Sequence, residues 1–376
     1  MRLLIYVALM SLATHALANN IIEGNQGSKI KGSVVERFQN PWAMSFISPD
    51  RLLVTTKSGD LWLVNTNGEK SLVASVPKVF YGGQGGLGDV VPHTNFKQNK
   101  LIYISYISSD TAGDTRYATV VRAELNIKNS PKLENITTVW KQTPARSGKG
   151  HFSHKITLGQ QGSKHEGKIF ITSGDRQEQA PAQHWDKALG KIIRLNDDGS
   201  VPDDNPFRDK GELAKTFWSI GHRNSLGIAF NQNGELWAHE MGPKHGDELN
   251  LILPGANYGW PIVSEGNHYS GAVIPTHDTR PEFQKPKLFW VPTVAPSGLF
   301  FYQGEEFPDW NGDAFLGGLK GRALVRIEFK NDLPVEAERF SWSQRVRDVE
   351  LGSDGAIWAL EDGRSGRLIK FIKAQE

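Results

Sequence analysis

The sequence predicts an all-β protein, built as a six-bladed β-propeller with four-stranded antiparallel blades. Turn-forming and aromatic residues are abundant, with 39 Gly, 19 Pro, 11 Trp and 18 Phe among 376 residues. Short segments of alternating apolar and polar residues, separated by Gly, Asp and Asn, dominate the chain, and this pattern is typical of half-buried β-strands. One strand pattern also recurs along the chain, which indicates a ring or an array of similar sheets.

The recurring pattern is clearest in three places. The stretch NPWAMSFISPDRLLVTTKSGDLWLV (40–64) alternates strands with turns, SLGIAFNQNGELWAHEMG (225–242) repeats its opening, and RDVELGSDGAIWALEDGRSGRLIKF (347–371) repeats the whole. Looser copies bring the total to six, with starts at positions 41, 86, 151, 221, 296 and 345. Each copy is long enough for one four-stranded sheet and its loops.

Six sheets that close in a ring protect their edges and bury both faces of every blade, which a single sheet cannot do. The segment KIKGSVVERF (29–38) is predicted to add a strand to the last blade and so to join the two ends of the chain. A β-solenoid that does not close is the alternative, but solenoid repeats are usually shorter and more even. No domain boundary is evident, which predicts a single domain over residues 19–376.

Residues 1–18, MRLLIYVALMSLATHALA, are predicted to be a secretory signal peptide. Arg2 provides a positive start, an apolar stretch follows, and Ala16-Leu17-Ala18 matches a cleavage site. The apolar stretch is too short to span a bilayer and no longer one follows, so we expect a soluble protein that is periplasmic or secreted. The chain has no cysteine, which excludes disulfides and thiolate chemistry.

The 43 Lys and Arg residues nearly balance the 41 Asp and Glu residues. Bulk charge therefore gives no reason to expect binding to nucleic acid or to an anionic membrane surface. Any site for an anion must instead be local.

The loops that lead into the innermost strands of a propeller meet at one mouth of its central channel. The polar residues predicted at this mouth include cations, carboxamides and a histidine: Gln84, His151, Arg223, Asn224, Thr293, Lys320, Arg345 and Arg347. Such a set suits a planar ligand with several carboxylates, because arginine binds carboxylates bidentately and lysine adds a point charge. Taken singly, each of these residues could be a solvated loop charge.

A second polar cluster lies within HEMGPKHGDELNLILPGANYGWP, residues 239–261. It offers carboxylates and backbone carbonyls at Gly242, Pro243, Asp247, Glu248 and Tyr258. A hard cation such as calcium prefers oxygen ligands of this kind. The alternative is a plain turn with a solvated acid.

His151 is the candidate general base. A glycine-rich stretch leads directly into it, at the position where the other blades present their polar groups. A neutral imidazole there can accept a proton from a hydroxyl. His154, three residues later, is a rival that strand alternation predicts on the opposite face.

These motifs carry a family likeness. In order along the chain they include GGQGGLGDVVPHTNF, HFSHKITL, ITSGDR, GHRNSLGIAF, GPKHGDELNLILPGANYGWP, PTVAPSGLFFY, GGLKGRALVRI and QRVRDVELGSDG. From about residue 33 to 372, the chain resembles the soluble PQQ-dependent aldose sugar dehydrogenases, relatives of soluble quinoprotein glucose dehydrogenase. The resemblance implies a six-bladed propeller that holds pyrroloquinoline quinone (PQQ), a tricarboxylate orthoquinone, over its channel together with a calcium ion (Ca2+).

The resemblance also implies roles for individual residues. PQQ would be held by residues that match the family's motifs: Gln84, Arg223, Asn224, Tyr269, Thr293, Lys320, Arg345 and Arg347. Calcium would be bound by Glu248 with Tyr258, and by the backbone carbonyls of Gly242 and Pro243. His151 would take the proton of the anomeric hydroxyl while hydride passes from C1 of an aldose to the quinone, which calcium polarises. The electron acceptor that follows stays unknown.

Two departures from the family's pattern bear on the site. The family usually reads HFGxR or HxGGR, where this chain has His151-Phe152-Ser153-His154-Lys155. Loss of the glycine and the arginine is expected to move the base or alter the sugar-binding surface, and it strengthens His154 as a rival. In the first motif, Pro92 falls within the expected strand, which should bulge or end early because proline cannot donate to the ladder.

Two other functions are compatible with the sequence. A calcium-dependent lactonase on the same kind of propeller needs acidic and Asn ligands on the axis, where this chain is predicted to place cations. A non-catalytic binding propeller would use a basic mouth to capture an acidic polymer or peptide.

Overall fold

The computed structural model describes residues 20–375, so the predicted signal peptide lies outside the described residues. Six antiparallel sheets form a six-bladed propeller, as the sequence predicts. Strands β1 (Asn20–Glu23) and β2 (Lys29–Phe38) precede the first blade. Among the residues described, no helix has both the length and the apolarity needed to cross a membrane.

Five sheets have four strands in simple antiparallel order, and the sixth has five, in the order β1-β2-β25-β24-β23. Blades 1 to 3 contain β3–β14, at Pro41–Ser48, Arg51–Thr56, Leu61–Asn65, Lys70–Leu72, Leu87–Pro92, Leu101–Ser109, Arg116–Asn126, Lys132–Lys141, Ser153–Leu158, Lys168–Ser173, Lys191–Asn196 and Phe217–Ile220. Blades 4 to 6 contain β15–β25, at Ser225–Phe230, Leu236–Glu240, Asp247–Leu251, Leu288–Trp290, Pro296–Phe301, Ala314–Gly318, Ala323–Lys330, Leu333–Ser341, Val346–Leu351, Ile357–Glu361 and Gly366–Lys373. The helical segments of the described chain are α1 (Phe96–Asn99) and four 3-10 turns at Ala180–Gln183, Ala214–Thr216, His277–Thr279 and Pro308–Trp310.

The innermost strands β3, β7, β11, β15, β19 and β23 pack side by side around the axis. Their first residues lie within four positions of the six predicted repeat starts. Strand β7 ends at Pro92, which is still in register with Ile102 of β8. The irregular register between Leu87 and Val90 lies at the start of β7, as in the other innermost strands, and is therefore not caused by the proline.

The ring is closed by β2, which pairs with β25 from Ile30 opposite Lys373 to Phe38 opposite Gly366. This pairing confirms the predicted role of residues 29–38. The core lies between the blades. Buried Phe300 and Phe315 of blade 5, for example, pack in one cluster with Val349 and Ile357 of blade 6.

A buried ion cluster joins the innermost strands on the axis. Lys155 Nζ lies 2.8 Å from Asp89 Oδ1 and 3.3 Å from Asp348 Oδ1. Asp348 also accepts the backbone N–H of Met44 at 2.9 Å, and Asp89 accepts that of Ile156 at 2.7 Å. Burial alone would lower the pKa of Lys155, but the charges of Asp348 and Asp89 raise it above its ordinary value. We call these three side chains the axial ion cluster.

Replacing Lys155 with Met should destabilise the fold strongly. The change leaves Asp89 and Asp348 buried without their cation, and breaking a buried pair in this way costs roughly 3–5 kcal/mol. The free energy of unfolding in urea measures the effect. Lys155→Arg keeps the positive charge and is the matched control, expected to lose much less. Equal stability of Lys155→Met and the wild type would contradict the role assigned to the cluster.

Candidate functional site

The loops before the innermost strands meet in a cavity of about 210 Å³ at one end of the axis. We call it the mouth cavity. It is lined by Trp42, Lys57, Gln84, Phe152, Ser153, His154, Asn224, Leu226, Met241, Ala295, Leu319, Arg345 and Arg347. Four of the predicted ligand-binding residues, Gln84, Asn224, Arg345 and Arg347, are therefore brought together.

Positive charge exceeds negative charge at the rim of the mouth cavity. Arg345 Nε and Arg347 Nη2 both donate to the carboxylate of Asp362, at 2.8 and 3.0 Å. Lys57 Nζ donates only to the backbone oxygen of Gly83, at 3.0 Å. Burial lowers the pKa of Lys57, and the charge of Arg347 lowers it further. Asp362 thus pairs with both arginines, and Lys57 has no carboxylate partner within residues 20–375, so the rim is suited to a ligand that carries several negative charges.

Lys57 was not among the predicted residues. It lies in the turn between β4 and β5, not before an innermost strand. In a propeller this turn points to the same end as the loops that precede the innermost strands. A search for charged residues in the turn between the second and third strands of each blade would have found Lys57.

Arg223 has a buried donor without a partner. Its side chain is 7% exposed, and Nη1 donates to the backbone oxygen of Met241 at 2.9 Å. Within the described chain, Nε finds no acceptor. Leaving a buried donor unpaired costs about 1–3 kcal/mol, so a ligand acceptor at this position would be stabilising. Arg223 is thus compatible with an anionic ligand, and its predicted role in binding PQQ stays a prediction.

His151 is held by a buried carboxylate. Its backbone N–H donates to Gln84 Oε1 at 2.7 Å, which places the residue at the edge of the mouth cavity. Its Nδ1 lies 2.7 Å from Asp175 Oδ1, and Asp175 Oδ2 accepts Trp260 Nε1–H at 2.8 Å. Burial raises the pKa of Asp175, but the hydrogen bond from His151, the charge of Arg223 and the backbone N–H of Gln177 together leave the pKa below its ordinary value. A carboxylate only accepts, so His151 carries its proton on Nδ1 and keeps a lone pair on Nε2.

Sequence reasoning missed Asp175 and Trp260. Asp175 follows the buried strand β12, within the motif ITSGDR, and a carboxylate at such a strand end is a usable signal. Trp260 belongs to the long loop between β17 and β18, far from Asp175 in sequence. Only the fold brings this indole to the carboxylate.

His154 lines the mouth cavity, contrary to the prediction from strand alternation. Ser153 and His154 have φ of 58° and 60°, and the register of β11 is irregular between Ser153 and Ile156. This left-handed backbone breaks the alternation of side chains. The family's pattern has glycine in this stretch, so the backbone keeps a glycine-like shape. Lys155 replaces the family's arginine and lies in the axial ion cluster, away from the mouth cavity.

His154 is a poor candidate for a base. It is 2% exposed and its ring stacks on Trp42, with centroids 4.9 Å apart. Burial, followed by the charge of Lys155, lowers the pKa of His154 to about 3. It therefore stays neutral and binds a proton weakly.

Asp247 and Thr293 form a structural clamp. Asp247 accepts the backbone N–H groups of Gly242, Val294 and Ala295, at 3.0, 2.8 and 2.7 Å, and also the hydroxyl of Thr293. Its two oxygens are thus engaged by the protein. The clamp holds the loop before β19 against the loop before β17.

Glu248 is a buried acid of this region that has little hydrogen bonding to stabilise its charged form. It is 7% exposed, and Asn250 Nδ2 donates to its Oε2 at 3.2 Å. Burial, and then the charge of Glu240, raises the pKa of Glu248 to about 8. A small cavity of about 10 Å³ touches Gly242, Glu248 and Tyr258, which is room for one ion or one water.

His277 also belongs to this region and was missed. Its Nδ1 lies 3.0 Å from Glu265 Oε1, and its Nε2 lies 3.0 Å from the backbone oxygen of Tyr258. Both partners are acceptors, so His277 donates from both nitrogens and is an imidazolium. Burial would lower the pKa of His277, but the hydrogen bond to Glu265 and the charge of Glu248 raise it.

Within residues 20–375, no three His, Cys, Asp or Glu side chains are placed to hold a metal ion together. A cation beside Glu248 would therefore depend on backbone carbonyls as well. Gly242 and Pro243 lie in the loop that the Asp247 clamp fixes, next to this small cavity.

Four of the residues predicted to bind PQQ do not line the mouth cavity: Arg223, Tyr269, Thr293 and Lys320. Arg223 lines the small cavity beside Glu248, and Thr293 belongs to the Asp247 clamp. Tyr269 is 75% exposed, in the long loop between β17 and β18. Lys320 is exposed in the turn between β20 and β21, where its backbone N–H donates to Val294 O at 3.0 Å. Their roles in binding a ligand stay predictions.

Gly88→Ala should destabilise the protein, because a Cβ at Gly88 would lie 2.0 Å from His154 Cε1. Overpacking of this kind typically costs about 1–3 kcal/mol, measured as the free energy of unfolding in urea. In the double variant Gly88→Ala/His154→Gly the clash with the ring is absent, only the closer approach to Ser105 Oγ at 2.9 Å remains, and the left-handed position holds glycine, so part of the loss should be recovered. If the losses in free energy of unfolding of Gly88→Ala and His154→Gly simply add in the double variant, the two residues are not in contact.

The model of the family described as Glucose / Sorbosone dehydrogenase matches residues 38–370. The chain is 35% identical over 346 residues to the aldose sugar dehydrogenase YliI of Escherichia coli (strain K12), covering 89% of this chain and 90% of that protein. It is 25% identical over 422 residues to quinoprotein glucose dehydrogenase B of Acinetobacter calcoaceticus, covering 90% and 86%.

The fold is similar to a solved structure as well. The crystal structure of the soluble aldose sugar dehydrogenase from Escherichia coli, in its apo-form, superposes with a TM-score of 0.86 and 32% sequence identity. The match covers 92% of this chain and 100% of the other.

Proposed function

The chain belongs to the glucose and sorbosone dehydrogenase family and is a sugar oxidoreductase; from this premise we propose that it oxidises aldoses at C1 to lactones, with PQQ and calcium as cofactors. The observation that carries the choice of PQQ is the charge of the mouth cavity. Lys57, Arg345 and Arg347 line it, and within residues 20–375 Asp362 is the one carboxylate that pairs with any of them, through the two arginines. A related protein is named a quinoprotein, which agrees with this choice.

The residues present fit both cofactors. Lys57, Arg345 and Arg347 would bind carboxylates of PQQ, and the unpaired Nε–H of Arg223 supplies a further donor. Gln84 and Asn224 would contact its carbonyls. Calcium would be held by Glu248, with backbone carbonyls of Gly242, Pro243 and Tyr258, and its charge would compensate a carboxylate that burial otherwise keeps protonated. Tyr269, Thr293 and Lys320 would extend the PQQ site.

When bound, PQQ supplies a two-electron acceptor for hydride and calcium supplies a Lewis acid beside it. The protein supplies the base. Nε2 of His151 has the free lone pair, so it takes the proton of the C1 hydroxyl. Asp175 fixes the tautomer and stabilises the imidazolium that forms, and Trp260 holds Asp175 in place. The signal-like residues 1–18 support export, and we propose a periplasmic or secreted location.

The two other candidate functions receive less support. A lactonase would need free acidic ligands on the axis, but Asp89 and Asp348 are engaged by Lys155 there. A binding propeller would not need His151 to be oriented by a buried carboxylate.

Reconstitution tests the proposed reaction. The mature protein, with PQQ and calcium added, should reduce a dye when glucose is supplied. His151→Asn should bind PQQ normally but turn over roughly 10²–10⁴-fold more slowly, because it lacks the base. Asp175→Asn should show a loss of similar order, because an amide no longer fixes the tautomer. Normal turnover of His151→Asn with PQQ bound would show that another group is the base.

Lys57→Met should weaken PQQ binding about tenfold or more, because it removes a charge-assisted contact with a carboxylate. Titration of the apo-protein by the absorbance of PQQ measures the Kd, and the effect should shrink at high salt. Lys97→Met removes an exposed lysine on α1 and is the control, with no expected change. Unchanged affinity of Lys57→Met would exclude Lys57 from the PQQ site.

A further inference from the structure

His154 is the one titratable side chain of the mouth cavity to which the proposed mechanism gives no task. It replaces part of a glycine-containing stretch of the family's motif, and its ring lies within van der Waals reach of Gly88. We propose that His154 is a further cofactor-binding residue, whose Nε2–H donates a hydrogen bond to an oxygen of PQQ while Trp42 supports its ring. This inference rests on the proposed function, since it needs PQQ in the mouth cavity.

The partner of Nδ1 determines which nitrogen of the His154 ring carries the proton. Ser105 Oγ accepts the backbone N–H of Asp89 at 2.8 Å and lies 2.7 Å from His154 Nδ1. Ser105 is fully buried, and its hydroxyl has no other acceptor among the described residues. If Nδ1 carried the proton, this hydroxyl hydrogen would be left unpaired at a cost. The serine therefore donates to Nδ1, and the proton of the ring lies on Nε2.

The surroundings of the His154 ring leave its Nε2–H free for a ligand. Ser105 occupies Nδ1, and the ring stacks on Trp42 at an interplanar angle of 13°. Within residues 20–375, the hydrogen bond of the His154 ring is the one at Nδ1, which leaves Nε2 without a partner, and the residue lines the mouth cavity. Beyond it, Met44 and Lys155, which lie one or two positions further along the same strands, line a second cavity of about 280 Å³ on the axis. His154 and Trp42 thus lie between the two cavities.

The protein accommodates the His154 side chain with a strained backbone and a glycine beside the ring. His154 has a φ of 60°, in the left-handed region that favours glycine. A Cβ on Gly88 would lie 2.0 Å from the ring, so the ring is compatible only with glycine at position 88. Strained non-glycine positions persist where the surroundings fix them, and they cluster at binding sites.

The proposed hydrogen-bond donor of His154 is uncharged. Burial and the charge of Lys155 keep the imidazole neutral, so His154 adds a donor without adding charge. Lys57, Arg345 and Arg347 already supply cations at the rim of the same cavity. A neutral donor between them and the axial channel suits a carbonyl or carboxylate oxygen of a flat polycyclic ligand. His154 is thereby a ligand for the cofactor and not a second base.

Two variants separate the donor from the ring. His154→Phe keeps a flat ring on Trp42 but has no N–H, and it should raise the Kd for PQQ at least about tenfold. His154→Gln places an amide N–H near the position of Nε2 without a ring, and it should stay within about threefold of the wild type. The Kd is measured on apo-protein by titration with PQQ, followed by PQQ absorbance and by tryptophan fluorescence. Urea unfolding checks that each variant is folded.

Nitrogen-15 NMR of the histidine rings in the wild type tests the tautomer without any cofactor. The expected result is a proton on Nε2 of His154, assigned by its absence in His154→Gln. A proton on Nδ1, wild-type affinity of His154→Phe, or equal losses in both variants would each overturn the inference. If the wild type itself binds no PQQ, the proposed function fails and the inference falls with it. If the wild type binds PQQ and His154→Phe binds it equally well, only the inference fails.

Discussion

The axial ion cluster is the interaction on which the geometry of the site depends. Lys155 lies between Asp89 and Asp348, and Asp348 also holds the backbone of β3, so one buried charge network links four innermost strands. The residues that directly precede its three members are Gly88, His154 and Arg347. These three lie at or beside the mouth cavity. By fixing the strands one residue below the cavity, the cluster fixes the walls of the cavity itself.

Charge is arranged in layers along the axis. Cations lie at the rim, where Asp362 balances only part of their charge. Below them, Trp42 and the neutral His154 form an uncharged layer. The axial ion cluster follows, and there burial, with the charge of Asp348, raises the pKa of Glu350 to about 8, which keeps this acid neutral as well. An anionic ligand is therefore attracted to the rim and is separated from the acidic residues by an uncharged layer.

The fold could be predicted because its signals are local. Strand alternation and turn residues repeat within each blade, so the starts of the innermost strands were placed within four residues. The cations Arg345 and Arg347 were found because they lie directly before and at the start of such a strand. Lys57 was missed because it lies instead in a turn between the second and third strands of its blade, which reaches the mouth by the geometry of the blade. Trp260 could not be predicted, because its contact with Asp175 joins two segments that are remote in sequence.

His151 and His154 show why residue type and spacing leave a role open. The two rings are three residues apart, and each has its Nδ1 engaged at 2.7 Å by a buried oxygen. The partner of His151 is a carboxylate, which can only accept, so its proton lies on Nδ1 and Nε2 is basic. The partner of His154 is a hydroxyl that already accepts an N–H, so it donates, and Nε2 becomes a donor. Opposite tautomers thus follow from the partners alone. Both partners come from outside the motif, β8 for Ser105 and the loop after β12 for Asp175. The proposed assignment of base and ligand therefore depends on the closed propeller and not on the HFSHK motif alone.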